Sequence, residues 1–301
     1  MTAHAPVSPA SGRRMTGASV GIPPRQLEFR QPADQARHAF FNGNALASSL
    51  FVVMSGIFPP GERFFMESVR HFREGINDPK LRAEISGFMG QEALHGREHE
   101  RLNAFFAERG IDVAMPERMI RISLGLLEKL PARQQLACTT FMEHFTALLA
   151  EQWLTDDRFQ QTSDPEMLKL WYWHALEELE HKAVAYDVLD QVHGTHAERL
   201  LAGPLVVAAL APGIVFSWAW LVAKDSQRLN WREHRRGLRE LFGRGGFISS
   251  ILPKMPDFIR ADFHPAQHDT RVLEKMWREK LFGQQGELLQ EFRNREALSA
   301  A

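Results

Sequence analysis

The 301-residue chain has one cysteine, Cys138. That excludes an internal disulfide, fits a reducing compartment and gives no basis for a thiolate metal site. No His–Cys signature surrounds Cys138, and it lies in an apolar helical run, so core packing is its expected role. Charge of one sign is lacking too. The formal net charge is −1, which argues against nucleic acid as a partner. Strand-like alternation is nearly absent, which disfavours a sheet-based fold. Residues 1–25 are rich in Ala, Ser, Pro and Gly, and no apolar stretch follows Arg13–Arg14. No secretory signal is therefore expected, and the chain reads as cytoplasmic. No flavin or nicotinamide motif occurs, because the Gly-rich piece Gly243–Gly246 lacks the preceding strand that such a site needs.

What is present is helical, and 44% of the residues are apolar, enough for a substantial core. Residues 1–25 read as a disordered tail. An apolar run over His38–Ser55 is expected to break at Gly56 and Pro59–Pro60–Gly61, with a new helix starting there and carrying Glu62 in its first turn. Asp78–Pro79 starts a helix that stops at Gly110. Helices over Pro116–Leu130 and Pro131–Leu154 follow. Ser163 with Glu166 reads as a capping box for the next helix. Leu200–Ala223 has no charged residue, and seven basic against three acidic side chains follow it in Lys224–Arg244. Thr270–Leu298 reads as an exposed amphipathic arm. The expected division is a tail at 1–25, a bundle core at 26–194, an apolar segment with a basic helix at 195–263 completing the same domain, and a helical arm at 264–301.

Two short patterns organise this chain. Glu92-x-x-His95 and Glu178-x-x-His181 share one spacing, and each follows a glutamate on a preceding helix, Glu62 and Glu143, by 30 and 35 residues. Residues three apart on a helix share a face. Two helix hairpins packed face to face bring the six side chains together, which is the donor set of a carboxylate-bridged di-metal site in a four-helix bundle. Charge supplies the physical reason. Four buried carboxylates need compensation, and two divalent cations cancel them. Oxygen and imidazole donors suit iron or manganese, and zinc less exclusively. Two iron ions are the expected cofactor.

Glu67 rivals Glu62, and Glu151 rivals Glu143; the repeat favours Glu62 and Glu143. His174 lies one turn before Glu178 on the same face, either as a seventh ligand or as an outer hydrogen-bond donor. His99 is expected to act from outside the ligand set. Gln91 and Glu177 each precede a glutamate of the set and are placed to orient an imidazole.

GERFF at Gly61–Phe65, GQEALHGREH at Gly90–His99, MEHFTALLAE at Met142–Glu151 and WHALEELEHKAVAYDV at Trp173–Val188 together resemble the bacterial predicted metal-dependent hydrolases, within the ferritin-like di-iron superfamily. The resemblance spans roughly Pro32–Phe263. It implies an all-α, ferritin-like four-helix bundle with additional C-terminal helices, and it implies that Glu62, Glu92, His95, Glu143, Glu178 and His181 are metal ligands and catalytic. His174-x-x-x-Glu178-x-x-His181 is also similar to the di-iron arylamine N-oxygenases, which implies O₂ activation by analogy. The expected function is thus O₂-dependent oxidation of an apolar or aromatic small molecule. Hydrolysis of an ester by the same two metals is the alternative. Electrons for the oxidation would come from a separate donor or from the substrate. The 200–223 segment is expected to be a buried helix pair roofing a substrate tunnel, a membrane-surface contact or a span. A homodimer is a further expectation.

Overall fold

The computed structural model describes residues 15–30, 39–161 and 163–293. Among the described residues there are nine α-helices and no strand. They are α1 (Ala45–Arg70), α2 (Pro79–Glu108), α3 (Ala114–Leu127), α4 (Ala132–Thr155), α5 (Pro165–His181), α6 (Val184–Gln191), α7 (His196–Lys224), α8 (Trp231–Phe242) and α9 (Arg271–Phe282). The fold is an all-α bundle. α1 pairs with α2, α4 pairs with α5, and the two hairpins meet through α1–α4 and α2–α5 contacts. α3 and α7 cover α1 and α4, α8 lies on α1, and α9 lies on α5.

Capping residues set the helix starts. The Asn44 side chain accepts from the Ala47 backbone at the start of α1, and Asp78 accepts from Lys80 ahead of Pro79 in α2. α5 is capped by Asp164, which accepts from Glu166 and Met167. This corrects the expected capping box: the Ser163 hydroxyl instead accepts from the Asn42 backbone.

The expected break at Gly56 and Pro59–Pro60 does not occur, and α1 runs through both prolines. Pro59 has no N–H to give the Ser55 carbonyl. The Asn103 side-chain amide on α2 donates to that carbonyl instead, at 3.0 Å. A neighbouring helix thus supplies the bond that the proline removes, and Glu62 sits in mid-helix instead of in a first turn.

Of the expected 1–25 tail, residues 1–14 lie outside the described residues. Residues 15–25 are packed along α2. Ile22 is buried, and a Cβ on Gly87 would lie 2.5 Å from the Ile22 carbonyl oxygen. A Cβ on Gly90 would meet Pro24 at the same distance. Bare α2 backbone at these two glycines lets the segment lie flat against it.

The arm expected over Thr270–Leu298 is corrected as well. Its helix ends at Phe282, and residues 294–298 lie outside the described residues. It is also packed: Trp277 is buried and its indole donates to the Leu154 carbonyl at 2.9 Å.

The apolar segment forms one helix, not a pair. Pro204 and Pro212, eight residues apart, both lie on its exposed side, so the interrupted hydrogen bonds face away from the bundle.

Candidate metal centre

The four long helices aim carboxylates and imidazoles at one point. α1 brings Glu62, α2 brings Glu92 and His95, α4 brings Glu143, and α5 brings His174, Glu178 and His181. All seven are buried. His181 Nε2 lies 3.1 Å from Glu92 Oε1, 3.5 Å from Glu143 Oε2 and 3.5 Å from Glu178 Oε1. His174 Nε2 lies 3.1 Å from Glu178 Oε1 and 3.8 Å from Glu62 Oε1. His95 Nδ1 lies 3.9 Å from Glu178 Oε1 and 4.0 Å from Glu92 Oε1. Glu62–His95–His174, Glu92–Glu143–His181 and Glu92–His95–Glu178 each place three donor atoms within 4.8 Å of one another. The two rivals are elsewhere. Glu67 is exposed and paired with Arg70, and Glu151 is paired with Lys254.

Each imidazole is held by its far nitrogen. His95 Nε2–H donates to Glu177 Oε2 at 3.0 Å, and His181 Nδ1–H donates to Gln91 Oε1 at 3.1 Å. The residues preceding Glu92 and Glu178 therefore orient a ring on the opposite helix, each in the role its position suggests. His174 Nδ1 is bonded to His99 Nε2 at 2.8 Å, and His99 Nδ1 to Ser55 Oγ at 3.0 Å. His99 thus acts on His174 and does not reach the carboxylates.

Arg25 joins two of these supports. Its guanidinium donates to Glu177 Oε1 and to both oxygens of Glu180, each at 2.8 Å. The Gln91 amide donates to Glu180 Oε2 at 2.9 Å. The path His95–Glu177–Arg25–Glu180–Gln91–His181 is therefore continuous. Sequence reasoning misses Arg25 and Glu180. A regular 3.6-residue pattern gives no sign of a partner 155 residues away.

Electrostatics point to cations. Burial pushes the Glu62, Glu92 and Glu143 carboxyls well above the usual carboxylate range, and the neighbouring Glu178 charge pushes them further. Burial would also raise Glu178, but the hydrogen bond from His174 and the adjacent His181 ring outweigh it and hold that carboxyl well below the usual range. Burial, followed by His174, holds His95 far below the usual histidine range. Glu177 is pushed up to about 8 by burial, with Arg25 opposing.

Nine atoms facing the centre have no hydrogen-bond partner. They are both oxygens of Glu62, Glu92 and Glu143, Oε2 of Glu178, Nδ1 of His95 and Nε2 of His181. Buried polar atoms are almost always satisfied. That these orphans all converge on one centre fits a group of bound metal ions. Cys138, by contrast, is a buried core thiol pushed up to about 11 by burial.

A cavity of about 40 Å³ reaches Glu178 and His174. Phe51, Phe58, Trp153, Trp171 and Phe247 form its aromatic wall. No residue of α7 lines it, so the expected roof over the site comes from α1, α4, α5 and Phe247 instead.

No curated relative and no solved structure matches the chain significantly. A family model described as "Predicted metal-dependent hydrolase" matches residues 23–269. That finding overturns the expectation of O₂-dependent oxidation and favours the hydrolytic alternative. The physical reason for the error is that buried glutamates and histidines on helices serve both chemistries, and the donor set alone does not separate them. With hydrolysis no electron donor is needed. By a match over most of its length, centred on this cluster, the chain belongs to the predicted metal-dependent hydrolases.

Proposed function

We propose that the centre holds two divalent cations and that the protein hydrolyses a small ester or similar bond bearing a short apolar group. The observation that carries this is the convergence of nine unpartnered donor atoms from four helices in one buried cluster. Glu62, Glu92, Glu143 and Glu178 supply oxygen donors, with Glu92 shared between two of the clusters, and His95 and His181 supply nitrogen. His174 joins them as a seventh ligand. Like the other two rings, it has one nitrogen toward the carboxylates and the other tied to an outer partner. Iron, manganese and zinc all accept this donor set.

When bound, such a pair polarises a carbonyl and makes water a nucleophile near neutral pH. The protein does the rest. Glu177 and Gln91 fix the tautomers of His95 and His181. The aromatic cavity holds the apolar part of the substrate beside Glu178 and His174 and keeps bulk water out. It has room for roughly three water molecules, which limits it to a short acyl or alkyl group.

Metal analysis and an ester assay test this reading. Protein purified without chelator should carry metal and cleave short-chain test esters. Complete chelation should abolish cleavage, and added Zn²⁺, Mn²⁺ or Fe²⁺ should restore it. Glu92→Ala and Glu178→Ala should each lose metal. Full loading in both variants would reject the ligand assignment, and cleavage unchanged by chelation would reject the reaction.

A further inference from the structure

α7 buries one narrow stripe, from Ala202 through Val206, Leu210, Gly213 and Ser217 to Leu221. Its other side is apolar and exposed. Leu201, Val207, Val215 and Phe216 are 47–61% accessible, and no charged residue occurs between Arg199 and Lys224. The helix has 29 residues, so it is about 43 Å long. Only 28% of its most apolar window is buried, against 67% for the apolar window of α1. The exposed face extends sideways. Ile122 and Leu126 are exposed on α3, whose Ser123 lies against Gly213 of α7. The Phe242 ring of α8 lies 5.9 Å from Trp218 of α7. An apolar surface of this extent marks a docking face.

The adjoining α8 says what docks there. Trp231, Leu238 and Phe242 fall at i, i+7 and i+11, align on the helix and are all exposed. Arg232, Arg235 and Arg239 form the neighbouring stripe, also exposed. Together with Arg228 before the helix, they make no ion pair among the described residues. Leu229 and Trp231, at the turn between α7 and α8, are 87% and 71% accessible. An apolar stripe with tryptophan at its edge and an arginine stripe beside it is the pattern of a helix lying at a lipid interface.

We infer that the exposed face of α7, with the 229–231 turn and α8, rests in the plane of an anionic lipid surface. Spanning is ruled out by the packing. α7 is held along its length by α1, α3 and α4, and the chain beyond it returns to the same body. Arg199 donates to the carbonyls of Phe258 and Arg260, and Trp277 donates to that of Leu154. A second copy of the chain is the poorer occupant. Lys224–Arg244 carries seven basic and three acidic residues, so an isologous pair through this face brings its own positive rim into the interface. An anionic leaflet neutralises that rim, each basic residue near the surface strengthening binding about fivefold. Nothing in this face depends on the chemistry at the metal centre.

Flotation of the full-length protein with phosphatidylcholine vesicles, with and without phosphatidylglycerol, tests the inference. The wild type should float with the anionic vesicles, and high salt should weaken the association. The triple variant R232E/R235E/R239E should lower partition on the order of 100-fold. V215D/F216D should abolish it while keeping metal content and helical signal. L229S/W231S, on the exposed turn, is the second apolar variant and should lower partition about tenfold or more. A wild type that floats with neither vesicle would overturn the inference. So would a concentration-dependent dimer that V215D/F216D dissociates without any vesicle binding, which would assign the face to a second copy.

Discussion

The Arg25 guanidinium grips the Glu180 carboxylate through two hydrogen bonds of 2.8 Å, Nη1 to Oε2 and Nη2 to Oε1. This fork is buried, and Glu177 accepts from the same guanidinium. Burial alone would lower the Arg25 pKa, yet the two carboxylates raise it. The first consequence concerns its removal. Arg25→Ala takes the guanidinium from buried Glu177 and leaves Glu180 to Arg278 and Gln91, so it should destabilise the protein by about 1–3 kcal/mol. It should also loosen the His95 and His181 rings and lower metal affinity roughly 10–100-fold. Arg25→Lys keeps the charge but not the fork, and should fall between. Urea titration and chelator competition measure the two effects. A variant with wild-type values in both would show that the grip is incidental.

The segment that presents Arg25 is seated on α2 at two glycines. Gly87→Ala or Gly90→Ala puts a methyl group 2.5 Å from Ile22 O or Pro24 Cγ, so the segment must move. Both variants should keep their helical signal and lose metal affinity as Arg25→Ala does. On α3, a Cβ at Gly125 would meet nothing within 4 Å, and Gly125→Ala should instead gain up to about 1 kcal/mol from helix propensity. Equal behaviour of all three would refute the seating.

Much of the centre is legible from spacing alone. Glu92 with His95, and Glu178 with His181, share faces because the helix repeat dictates it, and Glu62 and Glu143 follow from the matching offsets. The structure departs from the sequence reading where distant groups intervene. Arg25 sits among residues whose composition suggests a loose tail, and only its pairing with α5 reveals it. Pro59 reads as a break because the donor that replaces its N–H belongs to Asn103, on another helix. The reaction is the hardest to read, since the same donors serve oxidation and hydrolysis.

Loading should release protons. Glu62, Glu92 and Glu143 have raised carboxyl pKa values without metal, whereas ligation requires the ionised form. Metal affinity should therefore rise with pH from the ordinary carboxyl range up through the raised values. The same shifts set stability. A carboxyl raised in the folded state contributes stability that is lost as pH rises through its folded value. As pH rises above the ordinary carboxyl range, metal-free protein should lose stability relative to loaded protein. Calorimetry in two buffers of different ionisation enthalpy counts the protons. No release at neutral pH would mean that the carboxyls are already ionised.

The aromatic cavity predicts a size limit. Ala150 and Thr146 line it beside Glu178. Ala150→Leu should fill it, leave metal content unchanged and lower kcat/KM for the longer test esters about 10-fold or more, the cost of about 1–3 kcal/mol for overpacking. Acetyl esters should suffer least. A uniform loss across chain lengths would place the substrate elsewhere.

Pro59 and Asn103 should be energetically coupled. Asn103→Ala removes the donor to the Ser55 carbonyl and leaves that oxygen unpaired in the helix interior, at about 1–3 kcal/mol. Pro59→Ala restores a backbone N–H four residues after Ser55, so it supplies the bond that Asn103 otherwise makes. In the Asn103→Ala background, Pro59→Ala should therefore recover part of the loss, and the double-mutant cycle should show a coupling of about 0.5–2 kcal/mol. Asn103 also accepts from the Ser55 hydroxyl at 2.7 Å, and Ser55 in turn meets His99. Part of the Asn103→Ala loss comes through that hydroxyl and should persist in the double variant. Strict additivity would mean that α1 passes Pro59 without help from α2.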